Sequence, residues 1–235
     1  MSDAPSSTNY VFAPPATPAL PVTGTDRLFP IHRIYCVGRN YADHAIEMGG
    51  DPSRETPVFF QKSADCMVPS GSEIPYPPAS QDVHHEIEFV VALGQGGSNV
   101  PAATARDLVF GYAAGFDMTC RDLQAQAKKS GTPWEMAKSF EASAPCSAIA
   151  PASAIGHPVA ARIWLEVNGV IKQNGDIGQL IWKVPEIIAY LSRFFTLKAG
   201  DLIFTGTPAG VSRVHRGDKL RGGVEGVGEL AVSVV

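Results

Sequence analysis

The chain reads as an α+β domain, mainly β and mainly antiparallel, with a few short helices. Three observations lead there. Strand-like runs outnumber helical ones and follow each other in groups, without the strand–helix alternation of a parallel α/β fold. Glycine (23) and proline (19) are plentiful among 235 residues, which provides many turns. Hydrophobic residues make up 45% and charged residues only 18%, below the ~25% typical of soluble domains. That composition supports a sizeable core and excludes coiled coil, helical repeat and disorder. A single domain is expected over residues 31–235, preceded by a Pro-rich arm over residues 1–30.

The elements follow in order. Met1 to Gly24 is rich in Pro, Ala, Ser and Thr and is expected to lie extended, without a ladder or helix. Arg33 to Val37 is strand-like and stops at Gly38; Asn40 to Met48 has short helical character, with Asn40 or Asp43 as candidate cap. Gly49-Gly50-Asp51-Pro52 ends that helix and offers a hinge, so residues 40–55 are expected to form a lid. Val58-Phe59-Phe60 is a further strand. Glu86 to Leu93 is the clearest strand of the first half, and Leu108 to Asp117 reads as a buried one. Thr119 to Lys129 is helical, with Thr119 as candidate cap.

The second half continues the pattern. Ile163, Leu165 and Val167 alternate before Asn168-Gly169, the pair favoured by a type I′ hairpin turn. Val184 to Phe195 is an amphipathic helix with Pro185 near its start, where proline is tolerated. Asp201 to Thr205 and Leu230 to Val235 close the β structure. Gly94-Gln95-Gly96-Gly97 follows a strand but opens no helix, so it is a turn rather than a phosphate-binding loop.

Several function classes drop out. The net charge is −4 and no basic run stands out, which argues against nucleic-acid and anionic-membrane surfaces. No apolar stretch approaches the ~20 residues of a membrane span, and Met1 to Pro21 lacks the pattern of a secretory signal. Cys36, Cys66, Cys120 and Cys146 are widely spaced, unlike a zinc site or a disulfide framework. A reducing cytoplasm is the expected location.

The carboxylates carry the chemistry. Glu86 and Glu88, two apart on a strand, leave the same face, while Ile87 and Phe89 take the other. Two such carboxylates repel unless a cation lies between them or the face is solvated. With Asp117 at a strand end they would form an all-oxygen site for a hard cation such as Mg²⁺, Mn²⁺ or Ca²⁺. Sequence spacing alone does not bring Asp117 to the pair. His44 and Glu47, at i,i+3, suit either a general base with its orienting carboxylate or an ordinary surface helix pair. Lys138, a lone cation among apolar residues, suits either an anion partner or a snorkelling surface lysine.

In order along the chain stand the blocks Tyr35 to His44, His84-His85-Glu86-Ile87-Glu88, Gly115 to Asp122, Ala137-Lys138-Ser139-Phe140, and Gly200-Asp201 followed by Gly206 to Val211. Together these blocks resemble the fumarylacetoacetate hydrolase family, from about Ile31 to the C-terminus. Within it they are most similar to the fumarylpyruvate hydrolases of the gentisate pathway and to the acylpyruvases. The resemblance implies a mixed β-roll fold, a homodimer, and a divalent metal, Mg²⁺ or Mn²⁺ with Ca²⁺ as a substitute in crystals. It assigns Glu86, Glu88 and Asp117 to the metal, His44 and Glu47 to water activation, and Lys138 to the active site. Arg121, Gln124 and Thr207 match positions touching the substrate's oxoacid end. The arm departs from the wider family.

The implied reaction is hydrolysis of a small 2,4-dioxo acid, cleaving the C–C bond of an acylpyruvate. Oxaloacetate-type decarboxylation, keto-enol isomerisation and non-catalytic oxoacid binding remain as alternatives. Fumarylpyruvate ends in a second carboxylate, for which Arg39, Lys62 and Lys129 are the candidate partners.

Overall fold

A strand buried along both of its faces has to sit inside a sheet rather than at its edge. The run Ile87–Leu93 is such a strand, with every residue buried. In the computed structural model, which describes residues 10–47 and 56–235, this run organises the whole molecule.

In chain order the elements are β1 (Ala19–Pro21), β2 (Leu28–Pro30), β3 (Ile34–Gly38), α1 (Ala42–Glu47), β4 (Val58–Lys62), β5 (Met67–Pro69), β6 (Glu73–Ile74), β7 (Val83–His85) and β8 (Ile87–Leu93). Then come β9 (Val109–Phe116), β10 (Thr119–Cys120), α2 (Arg121–Ser130), α3 (Glu135–Lys138), β11 (Ala144–Cys146), β12 (Ala150–Pro151) and α4 (Ala152–Ile155). The chain closes with β13 (Arg162–Val167), β14 (Val170–Asp176), α5 (Val184–Leu191), β15 (Leu202–Phe204), β16 (Ser212–Arg213), β17 (Lys219–Val224) and β18 (Gly228–Val234).

The main sheet runs β4-β3-β15-β8-β9-β11-β5, with β12 added beside β9. A second sheet, β14-β13-β17-β18-β6, packs against it, and the short strands β10-β7-β16 form a third. Most neighbours are antiparallel, as expected, but β3–β15, β5–β11 and β6–β18 are parallel, which makes the roll mixed. The fold is mainly β with few helices. Alternation along β8 divides the core. Ile87, Phe89, Val91 and Leu93 join the larger cluster, with Leu165, Leu220 and Leu230 from the second sheet. Val90 and Ala92 join a smaller cluster on the opposite face.

That smaller cluster corrects the reading of the arm. Residues 1–9 lie outside the described residues, but β1 and β2 form an antiparallel ribbon, with Leu20 opposite Phe29. Both are buried in the second cluster. The prolines Pro21 and Pro30 sit at the ends of this short two-stranded ribbon, where a missing N–H is tolerated. Proline content therefore did not prevent pairing.

Two cap assignments also change. Asn40 does not cap α1, because its side chain donates to the Trp182 and Thr205 carbonyls and accepts from Trp182 N–H at 2.7 Å. Thr119 belongs to β10; its hydroxyl donates to the Asp117 carbonyl instead of capping α2, which starts after Cys120. The Gly49-Gly50 turn and the second half of the expected lid, residues 48–55, fall outside the described residues. The hairpin follows its turn chemistry, with Asn168 at φ 52° and Gly169 at φ 79° as a type I′ turn requires. All four cysteines are buried and free. Among the described residues no helix is long and apolar enough to cross a membrane.

Candidate active site

The site begins where β8 meets β7. Glu86 falls in the break between these strands rather than inside one long strand, and Glu88 is the second residue of β8. Register places Glu88 opposite Gly115, so Asp117, just beyond the end of β9, arrives beside Glu86. The Asp117 N–H donates to the Glu86 carbonyl at 2.9 Å, which fixes that approach. Glu86, Glu88 and Asp117 each present one carboxylate oxygen, all within 4.8 Å of one another, and all three residues are buried. The expected triad therefore converges.

Three cations surround it, unevenly. Lys138 Nζ donates to Glu86 at 2.8 Å, to Asp117 at 2.7 Å and to the Thr119 hydroxyl at 2.6 Å. Arg121 donates to the other Glu86 oxygen. Lys62 Nζ lies 2.9 Å from Asp117 Oδ1 and donates to the Met118 and Lys138 carbonyls. Burial opposes ionisation of Glu86, but Lys138 and Arg121 outweigh it and hold its carboxyl well below the usual range. For Lys138 burial opposes the charge too, yet Asp117 and Glu86 raise its pKa.

Glu88 is the exception. Its acceptor contact is the Gly206 N–H at 2.7 Å, and among the described residues no cation pairs with it. Burial, then the charges of Asp117 and Glu86, push its pKa well above normal. Asp117 Oδ1, though near Lys62, has no hydrogen-bonding partner in line with it among the described residues. A buried carboxylate without a counter-charge and a buried oxygen without a donor are what a hard divalent cation would satisfy, and the donor set is entirely oxygen. The residues fit such an ion.

His44 stands in the wall of the cavity lined by all three carboxylates, together with Arg121, Gln124, Lys138 and Thr207. It is buried, and its Nδ1 lies 3.1 Å from Glu47 Oε2. Glu47 in turn accepts from the Gly210 N–H at 3.0 Å, which ties α1 to the loop after β15. The i,i+3 pair is thus no surface ornament. Gln124 accepts from Arg121 at 2.8 Å, leaving its amide NH₂ to the cavity. Thr207 Oγ1 accepts from Gln173 at 2.7 Å, which leaves its hydroxyl proton available on the cavity side. Gln173 also bridges to His85, a fully buried imidazole whose pKa burial pushes down to about 4, so it stays neutral and structural.

Sequence reasoning missed part of this. Lys62 is not placed for a distal carboxylate; it is buried against Asp117. Gly206 and Thr119, which hold Glu88 and Lys138, carried no signal beyond their place in the motif blocks. Arg39 does line the cavity, but Lys129 does not; Lys128 takes that place.

The chain is similar to proteins of one known family. A sequence model described as the fumarylacetoacetate (FAA) hydrolase C-terminal domain matches residues 33–235. The mitochondrial oxaloacetate tautomerase FAHD1 of Rattus norvegicus is 46% identical over 201 residues, covering 86% of this chain and 90% of the relative. The fumarylpyruvate hydrolase of a Ralstonia species is 46% identical over 184 residues, covering 78% of this chain and 95% of the relative. A crystal structure of fumarylpyruvate hydrolase from Pseudomonas aeruginosa, in complex with Mn²⁺ and pyruvate, superposes with a TM-score of 0.95 at 52% identity. It covers 97% of this chain and 99% of the other. With its fold, its five motif blocks and these relatives in agreement, the chain belongs to the fumarylacetoacetate hydrolase family.

Proposed function

We propose that the protein hydrolyses the C–C bond of an acylpyruvate, and specifically fumarylpyruvate, to fumarate and pyruvate. The observation that carries this reading is His44, buried in the wall of the carboxylate-lined cavity and oriented by Glu47 at 3.1 Å. A divalent cation, Mg²⁺ or Mn²⁺, held by Glu86, Glu88 and Asp117 would supply positive charge where the substrate's 2-oxo carboxylate binds.

The chain's own groups account for the rest. Arg121, Gln124 and Thr207 offer donors to the oxoacid end. His44 takes a proton from water, whose oxygen attacks the distal carbonyl carbon, and Glu47 supports the imidazolium that results. The bond between that carbon and the pyruvate methylene then breaks. Its electron pair passes into the pyruvate unit as an enolate, which is protonated at the methylene carbon. Lys138, raised in pKa and buried beside the triad, stays protonated and adds positive potential near the developing charge.

The tautomerase relative supports a second reading, because a base beside a bound 2-oxo acid can also move an oxaloacetate proton between carbon and oxygen. The Pseudomonas match favours hydrolysis. At 97% coverage it includes the arm that carries β1 and β2, so the similarity extends beyond the family's common domain. The reading takes residues 31–235 as one catalytic domain and the protein as a cytoplasmic homodimer in gentisate-type aromatic catabolism.

Purified protein supplied with Mn²⁺ should convert fumarylpyruvate to equimolar fumarate and pyruvate, and a chelator should stop it. Rapid keto-enol exchange of oxaloacetate without cleavage of any acylpyruvate would instead establish the tautomerase.

A further inference from the structure

We infer that Lys128, with Arg39, forms a subsite at the cavity rim for a second carboxylate at the acyl end of the substrate, and so selects dianionic acylpyruvates. This rests on the hydrolase reading and deepens it. Both residues line the same cavity as the triad.

Charge decides which cations are available. Lys138, Arg121 and Lys62 are engaged by Glu86 and Asp117. Among the described residues, no carboxylate forms an ion pair with Arg39 or Lys128. These two cations therefore line the cavity without an ion-pairing carboxylate among the described residues.

Helix geometry decides between neighbouring lysines. With about 100° per residue, Lys128 falls within about 20° of Arg121 around the axis of α2, and Gln124 within about 60°. Lys129 is turned away by about 80°. One stripe of α2 thus offers Arg121 and Gln124 to the inner end of the cavity and Lys128 to its rim. Lys128 Nζ sits 5.4 Å over the Trp134 ring, itself part of the cavity wall, which confines the long side chain. The positive charges of Arg121 and Arg39 reach Lys128 and, after burial, lower its pKa. Arg39 projects from a left-handed backbone at φ 58°, a conformation rare outside glycine, immediately after β3. Two cations with no ion-pairing carboxylate among the described residues are complementary to a carboxylate of the substrate.

The test compares fumarylpyruvate with acetylpyruvate, which lacks the second carboxylate, in wild type, Lys128→Met, Arg39→Met and Lys128→Arg. Losing one charge-assisted contact should raise KM for fumarylpyruvate about 10- to 100-fold in each Met variant. Acetylpyruvate kinetics should stay unchanged, kcat should move only a few-fold, and Lys128→Arg should recover much of the loss. Equal effects on both substrates, or on neither, would overturn the subsite while leaving the hydrolase reading intact. If the wild type cleaves neither substrate, the hydrolase reading fails separately. Calorimetric binding of the same two compounds then decides the subsite. Tighter binding of fumarylpyruvate, lost in Lys128→Met, supports it; equal binding sinks it.

Discussion

Glu88 accepts a hydrogen bond from the Gly206 main-chain N–H at 2.7 Å while lying beside Glu86 and Asp117 in a buried cluster. Its neighbours have cations and it has none among the described residues. Glu88→Gln should therefore have opposite effects in the two states of the protein. Without metal it removes an electrostatic burden, so thermal stability should hold or rise. With metal it removes a ligand, so Mn²⁺ affinity by calorimetry should fall by about 100-fold or more, with turnover falling too. Unchanged Mn²⁺ affinity would remove Glu88 from the site.

His44→Ala should lower kcat on fumarylpyruvate by about 10²–10⁴, the usual worth of a general base. Mn²⁺ and oxalate binding should be nearly unaffected, since neither requires the imidazole. Glu47→Gln should cost less, because the base remains and the Gln side chain can still accept from Gly210. Near-wild-type kcat in His44→Ala would remove His44 from the water-activating role.

Lys138→Met leaves two buried carboxylates without their shared ammonium. Breaking a buried pair by deleting one partner typically costs about 3–5 kcal/mol. Urea unfolding in chelator should show a loss of that order, and added Mn²⁺ should restore part of it. A loss below about 1 kcal/mol would mean that Lys62 and Arg121 suffice.

Tyr35 provides a pH test away from the metal. Its hydroxyl is buried without a hydrogen-bonding partner among the described residues, and burial, with the charge of Asp201, pushes the phenol up to about 12. A folded-state pKa above the unfolded value of ~10 means stability is fully present below pH ~10. It is lost as pH rises toward 12. Tyr112, pushed by burial to about 12, adds to the same limb. Tyr35→Phe should flatten part of this alkaline loss and, at pH 7, be neutral or stabilising by about 1 kcal/mol. Destabilisation beyond about 2 kcal/mol at pH 7 would show that the hydroxyl has a partner.

Much of this was legible in the chain because it depends on local periodicity. The two-residue repeat put Glu88 opposite the Ile87–Phe89 face, and the three-residue spacing joined His44 to Glu47. Asn168-Gly169 specified its turn through φ alone. What escaped depended on distant pairing. Nothing in the neighbourhood of Lys62 announces Asp117, and the capping habit of Asn40 is overridden by carbonyls at Trp182 and Thr205. Lys128 and Lys129 are indistinguishable by composition and differ only in their angle around α2.

The position of β15 has a consequence for how the molecule is made. This three-residue strand lies between β3 and β8, and the adjoining pair Arg33–Asp201 joins residues 168 apart. A chain emerging from the ribosome can form β8 and β9 early, but β3 and β8 must wait as unpaired edges until residues 202–204 are synthesised. Such edges are prone to pair with other chains, and slow closure of distant contacts prolongs their exposure. Glu88 likewise gains its Gly206 contact only then. A nascent chain stalled shortly before this strand would hold all three carboxylates, the base and the lysine, yet lack the central strand that aligns them, and would be more prone to aggregate than to bind substrate.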